Sequence, residues 1–281
     1  MPMTPPTRLL GALPYFAFTL LFLIAPVFYL VVGAFQSPEG WTFANMAGLM
    51  APEIAGAFWL SIRLSLASAL VGTVAGLFLA HALVLGGLPL GLRRAVSAFA
   101  GVASNFAGVP LAFAFIATLG RLGLVTVILK ALGVNIYGMG FSLFSFWGLA
   151  LTYLYFQMPL MLLVITPAME GLRPEWREAA ESLGASPGQY WRRVGGPVLA
   201  PSVLGCFLLL FANAFGTLAT VIALTGSNFS VVPILLFQQI RGNVLYNPNL
   251  GYALALGMIL IMVVSNLAYL ALRARAERWQ K

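Results

Sequence analysis

Long apolar runs alternate along this chain with short polar joints. A helix that crosses a bilayer needs about 20 consecutive, mostly apolar residues. The runs over 10–35, 58–86, 95–119, 141–167, 199–225 and 250–273 meet that length and predict six transmembrane helices in one domain, 1–281. The first follows a Pro-rich tail (Pro2, Pro5, Pro6). Pro14 and Pro26 lie inside it and are expected to kink it, which membrane helices tolerate where neighbours or water satisfy the freed carbonyl. No small-x-small cleavage pattern follows its apolar run, so it reads as an uncleaved span rather than a signal peptide. Residues 120–140 fit the pattern least. Gly120, Gly123, Gly133, Gly138 and Gly140 interrupt them, and Arg121 and Lys130 add charge. The expectation there is a short interfacial helix outside the bilayer.

One polar joint is unlike the others. Residues 170–193 hold four of the 7 acidic and four of the 15 basic residues. Pro174 suits the first helical position, where no backbone donor is needed. Glu175 and Glu178 follow near the N-terminus, where the helix dipole favours negative charge. Gly184 suits the left-handed position that ends a helix. Leu172, Trp176, Ala179, Ala180 and Leu183 recur at three- and four-residue spacing and form an apolar stripe. Ser186-Pro187-Gly188-Gln189 then reads as a capping box that opens a second short helix. Tyr190, Trp191 and Val194 give that helix an apolar side, and Gly195-Gly196-Pro197 is expected to break the chain before the fifth span. An amphipathic segment of this kind could lie on the inner membrane surface or dock on a partner.

Composition agrees with a polytopic membrane protein. Of the 281 residues 61% are hydrophobic and 8% charged, against about 25% charged in soluble domains. Mean hydropathy is +0.96. The formal net charge of +8 does not point to nucleic acid, because the basic residues sit in short pieces beside apolar runs, as cytoplasmic loops over anionic lipid do. With the N-terminus inside, Arg8, Arg93, Arg94, Arg173, Arg177, Arg192, Arg193, Arg273, Arg275, Arg278 and Lys281 are cytoplasmic. Arg63, Arg121, Lys130 and Arg241 then lie outside or in outer halves of spans. That bias favours this orientation, with both termini and the charged island in the cytoplasm. The lone Cys206 excludes an internal disulfide and a cysteine metal cluster. The lone His81 has no carboxylate or thiol near it in sequence and reads as packing or an interfacial hydrogen bond.

The spacing within the island narrows its reading. Glu178-Ala179-Ala180, three residues, Gly184, nine residues, then Val194-Gly195-Gly196-Pro197 resembles the EAA signature of permease subunits in binding-protein-dependent ABC importers. The family pattern ends Ile-x-Leu-Pro. Val194 is a conservative change, and Gly196 departs from it by standing where Leu is usual. The resemblance extends to span number, signature position and the flanking Tyr190-Trp191, and covers most of the chain from about 58 onward. It implies an all-α, type I (MetI-like) importer fold in a bacterial inner membrane, with a coupling loop over 170–197. It also implies a cytoplasmic ATPase dimer, a second and different permease chain, and an extracytoplasmic solute-binding protein as partners. By resemblance Glu178, Ala179, Ala180 and Gly184 couple to the ATPase, flanked by Trp176 and Leu183. No Gly-x-x-x-x-Gly-Lys-Ser/Thr loop is present. The chain is therefore expected to be a non-catalytic conduit, with ATP and Mg on the partner.

Ionisable and polar groups in spans are the candidates for a solute path. Arg63 stands about one turn into the second span, with Ser61, Ser65, Ser68 and Thr73 at mostly three- to four-residue spacing, which predicts one polar side. Arg63 could equally snorkel to the outer interface. Thr152, Tyr153, Tyr155 and Gln157 precede Pro159 in the fourth span, and Asn213, Thr217 and Thr220 share a side of the fifth. Interhelical hydrogen bonding explains these as well as a path does. Gly72 and Gly76 are spaced for close helix packing. The wider resemblance is to the polyamine, phosphonate and ferric-iron importers. A polyamine path calls for carboxylates, yet only Glu39 and Glu53 lie outside, and Arg63 suits an anion better; Tyr153 or Trp147 could serve a cation through its ring face. The rival reading is an ion-coupled secondary transporter, for which buried acids and an internal repeat are wanting.

Overall fold

The computed structural model describes residues 13–226, 228–241 and 248–277. The Pro-rich tail, Arg8, Arg278 and Lys281 lie outside these residues. The elements in chain order are α1 (Leu13–Ala34), the strands β1 (Gln36–Ser37) and β2 (Gly40–Trp41), α2 (Ala44–Gly48), α3 (Pro52–Leu85), α4 (Leu90–Asn105), α5 (Val109–Leu119) and α6 (Leu124–Ala131). They continue with α7 (Phe146–Glu170), α8 (Pro174–Ser182), α9 (Pro187–Phe215), α10 (Ala219–Thr225), α11 (Val232–Arg241) and α12 (Pro248–Glu277). Among the described residues, six helical stretches are long and apolar enough to cross a membrane: α1, α3, Val109–Ala131, α7, α9 and Asn249–Ala271. The antiparallel pair β1–β2, in register Gln36 with Trp41, is a tight hairpin in an otherwise all-α protein.

The spans differ from their sequence limits for physical reasons. The second begins at Pro52, a good first helical residue, rather than at 58. The run 95–119 is not one helix. It breaks between α4 and α5, where Gly108 takes φ +74° and Pro110 opens the next helix. The run 199–225 likewise breaks at 216–218, between α9 and α10. The expected break at 195–197 is absent. There the helix passes through a π turn, Trp191–Gly195, and the Gly196 N–H bonds to the Trp191 carbonyl. The first span holds the same device: a π turn at Leu20–Ile24, with the Ala25 N–H on the Leu20 carbonyl, just before Pro26. In both, the wider turn makes room for a pyrrolidine ring that would clash with an ordinary α turn.

The chain divides into two compact units, Met1–Ala57 with Leu235–Ile261, and Phe58–Ile234 with Met262–Lys281. In the first, a Cβ on Gly33 would lie 2.4 Å from the Tyr252 ring, so α1 and α12 meet where only glycine fits. Tyr29 packs edge-on against the same ring at 5.6 Å. Ala34, Ala253 and Leu256 form the small core there. The Asn45 amide donates to the Ala34 carbonyl at 3.3 Å and to the Gln36 carbonyl at 2.8 Å, tying α2 to the end of α1 and to β1.

In the second unit the core gathers Leu64 of α3, Leu111 of α5, Leu149, Tyr153 and Phe156 of α7, Ala214 of α9 and Val221 of α10. The helices α4 and α9 both pack on α7. Arg93, at the start of α4, pairs with Glu170, at the end of α7. The breaks in the third and fifth spans meet: the Gly108 N–H donates to the Thr220 hydroxyl at 2.8 Å, and Thr220 is fully buried. A helix end inside a membrane must find partners for its free backbone groups, and the side chain of Thr220 supplies one to the break at Gly108.

Candidate functional site

The charged island folds as its local signals predict. Pro174 and Glu175 open α8, and Gly184 closes it at φ +76°. The Ala185 N–H bonds to the Ala180 carbonyl and the Gly184 N–H to the Glu181 carbonyl, each at 2.9 Å. This pair of bonds satisfies the last carbonyls of the helix and requires the left-handed residue at 184. The capping box is complete: the Ser186 N–H donates to Gln189 Oε1 at 2.8 Å and the Gln189 N–H to Ser186 Oγ at 3.3 Å.

The distinguishing property of α8 is what it lacks within this chain. None of its residues is buried. Of the apolar stripe, Leu172 is tucked in, whereas Trp176 is 36% and Leu183 88% exposed. Arg173 lies 5.9 Å from the Trp176 ring, and Arg177 pairs with Glu181 one turn on. Glu178 has no ion pair among the described residues. Ala179 is exposed and Ala180 half-buried. A short, capped helix thus presents two small residues, an unpaired carboxylate and a bare leucine.

From this loop the chain enters α9. Gly195 is buried, and a Cβ there would lie 2.9 Å from the Trp191 ring and 3.2 Å from Tyr190. Trp191 also meets His81 near the end of α3, ring centroids 5.3 Å apart. His81 is thus a packing residue of the loop junction. These two rings close one end of an apolar groove of about 880 Å³ between α3 and α9, walled by Leu70, Val74, Phe78 and Phe207.

The path candidates separate into two groups. Ser61, Ser65 and Ser68 line the buried side of α3, four and three residues apart. Ser61 Oγ accepts the Val232 N–H at 2.9 Å and so caps the start of α11. Gln157 of α7, with no exposed surface, donates to Ser68 Oγ at 3.0 Å, while its Oε1 has no partner among the described residues. Ser65, Tyr153 and Thr217 surround a cavity of only about 10 Å³ with Ser61, room for about one water. The Thr217 hydroxyl donates back to the Asn213 carbonyl at 2.6 Å, and the Asn213 side chain is exposed. These polar groups serve helix packing in this conformation rather than an open channel.

Arg63 does not join them. Two residues along a helix is a rotation of about 200°, and Arg63 is exposed on the side of α3 away from Ser61 and Ser65. It shares that side with Trp59, Leu66, Leu70, Val74 and Phe78, all exposed. Its guanidinium lies 6.0 Å from the Trp59 ring and 5.8 Å from the Phe146 ring, with no acidic partner among the described residues.

Comparison with known proteins places this arrangement. The chain is 30% identical over 168 residues to the molybdenum transport system permease protein ModB of Mycobacterium tuberculosis, covering 60% of this chain and spanning 58% of that relative's length. It is 25% identical over 232 residues to the probable sulfate transport system permease protein cysT of Nephroselmis olivacea, covering 80% and 78% of the two chains. In three dimensions it matches a chain in the crystal structure of a bacterial ABC transporter involved in the import of the acidic polysaccharide alginate. There the TM-score is 0.71 at 20% identity, over 98% of this chain and 96% of that one, which fixes the fold. The family of binding-protein-dependent transport system inner membrane components matches residues 72–279, and with three quarters of its length inside that match, this multi-pass membrane chain belongs to the family.

Proposed function

We propose that the chain is the permease subunit of an ATP-driven importer that moves a small oxyanion delivered by a binding protein, by alternating access. The observation that carries the permease reading is α8: a helix in a family member, ended by a left-handed glycine, with Trp176, Ala179, Leu183 and Glu178 left exposed by the other described residues. Glu178, Ala179, Ala180 and Gly184 fit a cleft in a cytoplasmic ATPase, with Trp176 and Leu183 at its edge. ATP and magnesium belong to that ATPase pair. A second, different permease subunit covers the exposed side of α3, and ATP-driven approach of the two α8 helices opens the path outward. A packed helical protein can do this when it has two discrete arrangements that a docked partner biases.

Arg63 supports an anion as cargo. It stands unpaired on the uncovered side of α3, and the acids of the described spans, Glu53 and Glu170, lie at helix ends. A polyamine path has no carboxylate to use there. Relatives named for molybdenum and sulfate transport point the same way. The test is uptake into vesicles holding the chain with its ATPase and second permease, supplied with loaded binding protein. Labelled molybdate or sulfate should enter and putrescine should not. Arg63→Gln should depress anion entry, and Glu178→Ala should uncouple ATP hydrolysis from it. Uptake without an ATPase would overturn the importer reading, and putrescine uptake indifferent to Arg63→Gln would overturn the anion reading.

A further inference from the structure

The segment 120–142 carries a second polar site, apart from α8 and from Arg63. The eight-residue α6 is two-sided. Leu124, Val127 and Ile128 are exposed, at three- and four-residue spacing. Thr126 and Lys130, four residues apart, instead line a cavity of about 380 Å³ completed by Arg121, Asn135, Tyr137 and Ser142. That volume is within the usual range for a small-ligand pocket, about 300–1,000 Å³.

The chemistry of the lining is one-sided. Arg121 and Lys130 have no acidic partner among the described residues, and no carboxylate lines the cavity. The Arg121 guanidinium lies 5.7 Å from the Tyr137 ring, whose hydroxyl is used on the Leu119 carbonyl at 2.9 Å. Asn135 Oδ1 accepts the Gly138 N–H at 3.0 Å, so the amide nitrogen is its open group. Thr126 is the telling residue. Thr118, Thr152, Thr217 and Thr225 each return their hydroxyl proton to the carbonyl four residues back. Thr126, like Thr73 of α3, is 6% exposed, and its hydroxyl has no partner among the described residues. A buried hydroxyl without a hydrogen bond is costly, and Thr126 is one of the residues lining the cavity to which Arg121, Lys130 and Asn135 also belong.

A guanidinium, an ammonium and an amide on one cavity, with an unpartnered hydroxyl among its lining residues and no carboxylate among the described ones, suit a phosphate group. The exposed apolar side of α6 says where the phosphate comes from. As the last eight residues of the candidate span Val109–Ala131, α6 sets its exposed apolar side against acyl chains, while Lys130 at its end reaches toward the headgroup layer. We propose that this pocket holds the phosphodiester headgroup of an anionic phospholipid, whose acyl chains run along Leu124, Val127 and Ile128. The site stands whether or not the cargo is an anion.

The experiment is native mass spectrometry of the whole chain in detergent, titrated with phosphatidylglycerol or phosphatidylcholine. The wild type should retain phosphatidylglycerol over phosphatidylcholine by roughly thirtyfold, the factor expected of two cations beside an anionic headgroup. Arg121→Gln with Lys130→Gln should bring the two lipids within about twofold. The isosteric Thr126→Val should weaken phosphatidylglycerol by about threefold without lowering the melting temperature, since it removes an unpartnered hydroxyl. Equal retention of the two lipids by the wild type overturns the proposal whatever the variants do. So does displacement of phosphatidylglycerol by millimolar inorganic phosphate, which would mark a site for a free anion.

Discussion

Gly76 offers a sharp test of how the second unit is assembled. A Cβ at this position would lie 2.5 Å from Met161 Cβ, 2.7 Å from its Cγ and 2.8 Å from the Met158 carbonyl oxygen. Neither Cβ nor a carbonyl can swing aside as a side-chain tip can. Gly72, one turn earlier, stands equally close to Gln157, with Cβ contacts of 2.9 Å. Here α3 and α7 touch backbone to backbone, as small-x-x-x-small pairs allow in membranes. In Gly76→Ala the carbons must separate to about 3.5–4.0 Å, so α3 retreats from α7 by about 1 Å. Overpacking of this size costs about 1–3 kcal/mol. The same retreat stretches the 3.0 Å bond between Gln157 and Ser68 beyond hydrogen-bonding range, adding about 0.6 kcal/mol. Helix propensity returns at most about 1 kcal/mol, so the net loss is about 1–3 kcal/mol. Gly56, on the same helix with nothing within 4 Å of its would-be Cβ, is the control, and Gly56→Ala should gain about 0.5–1 kcal/mol. Unfolding of the whole chain in mixed micelles, followed by tryptophan fluorescence, measures both. If Gly76→Ala is as stable as Gly56→Ala, the two helices do not meet in this register.

Three further outcomes follow from single contacts. Gly184→Val has open space for its side chain but must hold φ +76°, a backbone cost of about 1–2 kcal/mol; ATPase stimulation by the assembled transporter should fall, while membrane insertion measured by protease protection stays normal. Ser61→Ala removes the acceptor of a buried Val232 N–H and should cost about 1–3 kcal/mol in the same micelle unfolding, with Ser61→Thr retaining most of the stability. Thr220→Val keeps shape but orphans the Gly108 N–H; a loss of about 1 kcal/mol is expected, with faster amide exchange at 108 as its local signature.

What could be read from sequence was what is decided locally. Pro174, Gly184, Ser186 and Gln189 act within a few residues of themselves, and all four took their expected roles in capping α8 and the start of α9. The interruptions at 106–108 and 216–218 were hidden because hydropathy runs on across them. The hydrogen bond that lets both helices stop there joins residues 112 positions apart in sequence. Gly195-Gly196-Pro197 misled for the converse reason: such a triplet ordinarily breaks a helix, but Gly195 is held against Trp191 and Tyr190 and a π turn absorbs the proline. The side of α3 that Arg63 occupies was legible and overlooked, since two residues' separation already sets it opposite Ser61 and Ser65. The empty-handed Thr126 leaves no mark in sequence, because its missing partner is a property of the cavity wall.

The continuous course of α9 changes what the loop carrying α8 can transmit. Its 29 residues form a rod about 40 Å long, starting at the capping box beside α8 and ending at the break before α10. A joint at Gly195-Gly196-Pro197 would have let the loop swing while the membrane portion stayed still. With a continuous helix, a tilt imposed at Pro187 is carried on toward Phe215, bending at most at the π turn and at Pro201, and the helical course ends only at the seam where Thr220 and Gly108 hold the two broken spans together. In the proposed importer, a stroke begun at α8 is thus carried along a lever to that seam rather than ending at its foot.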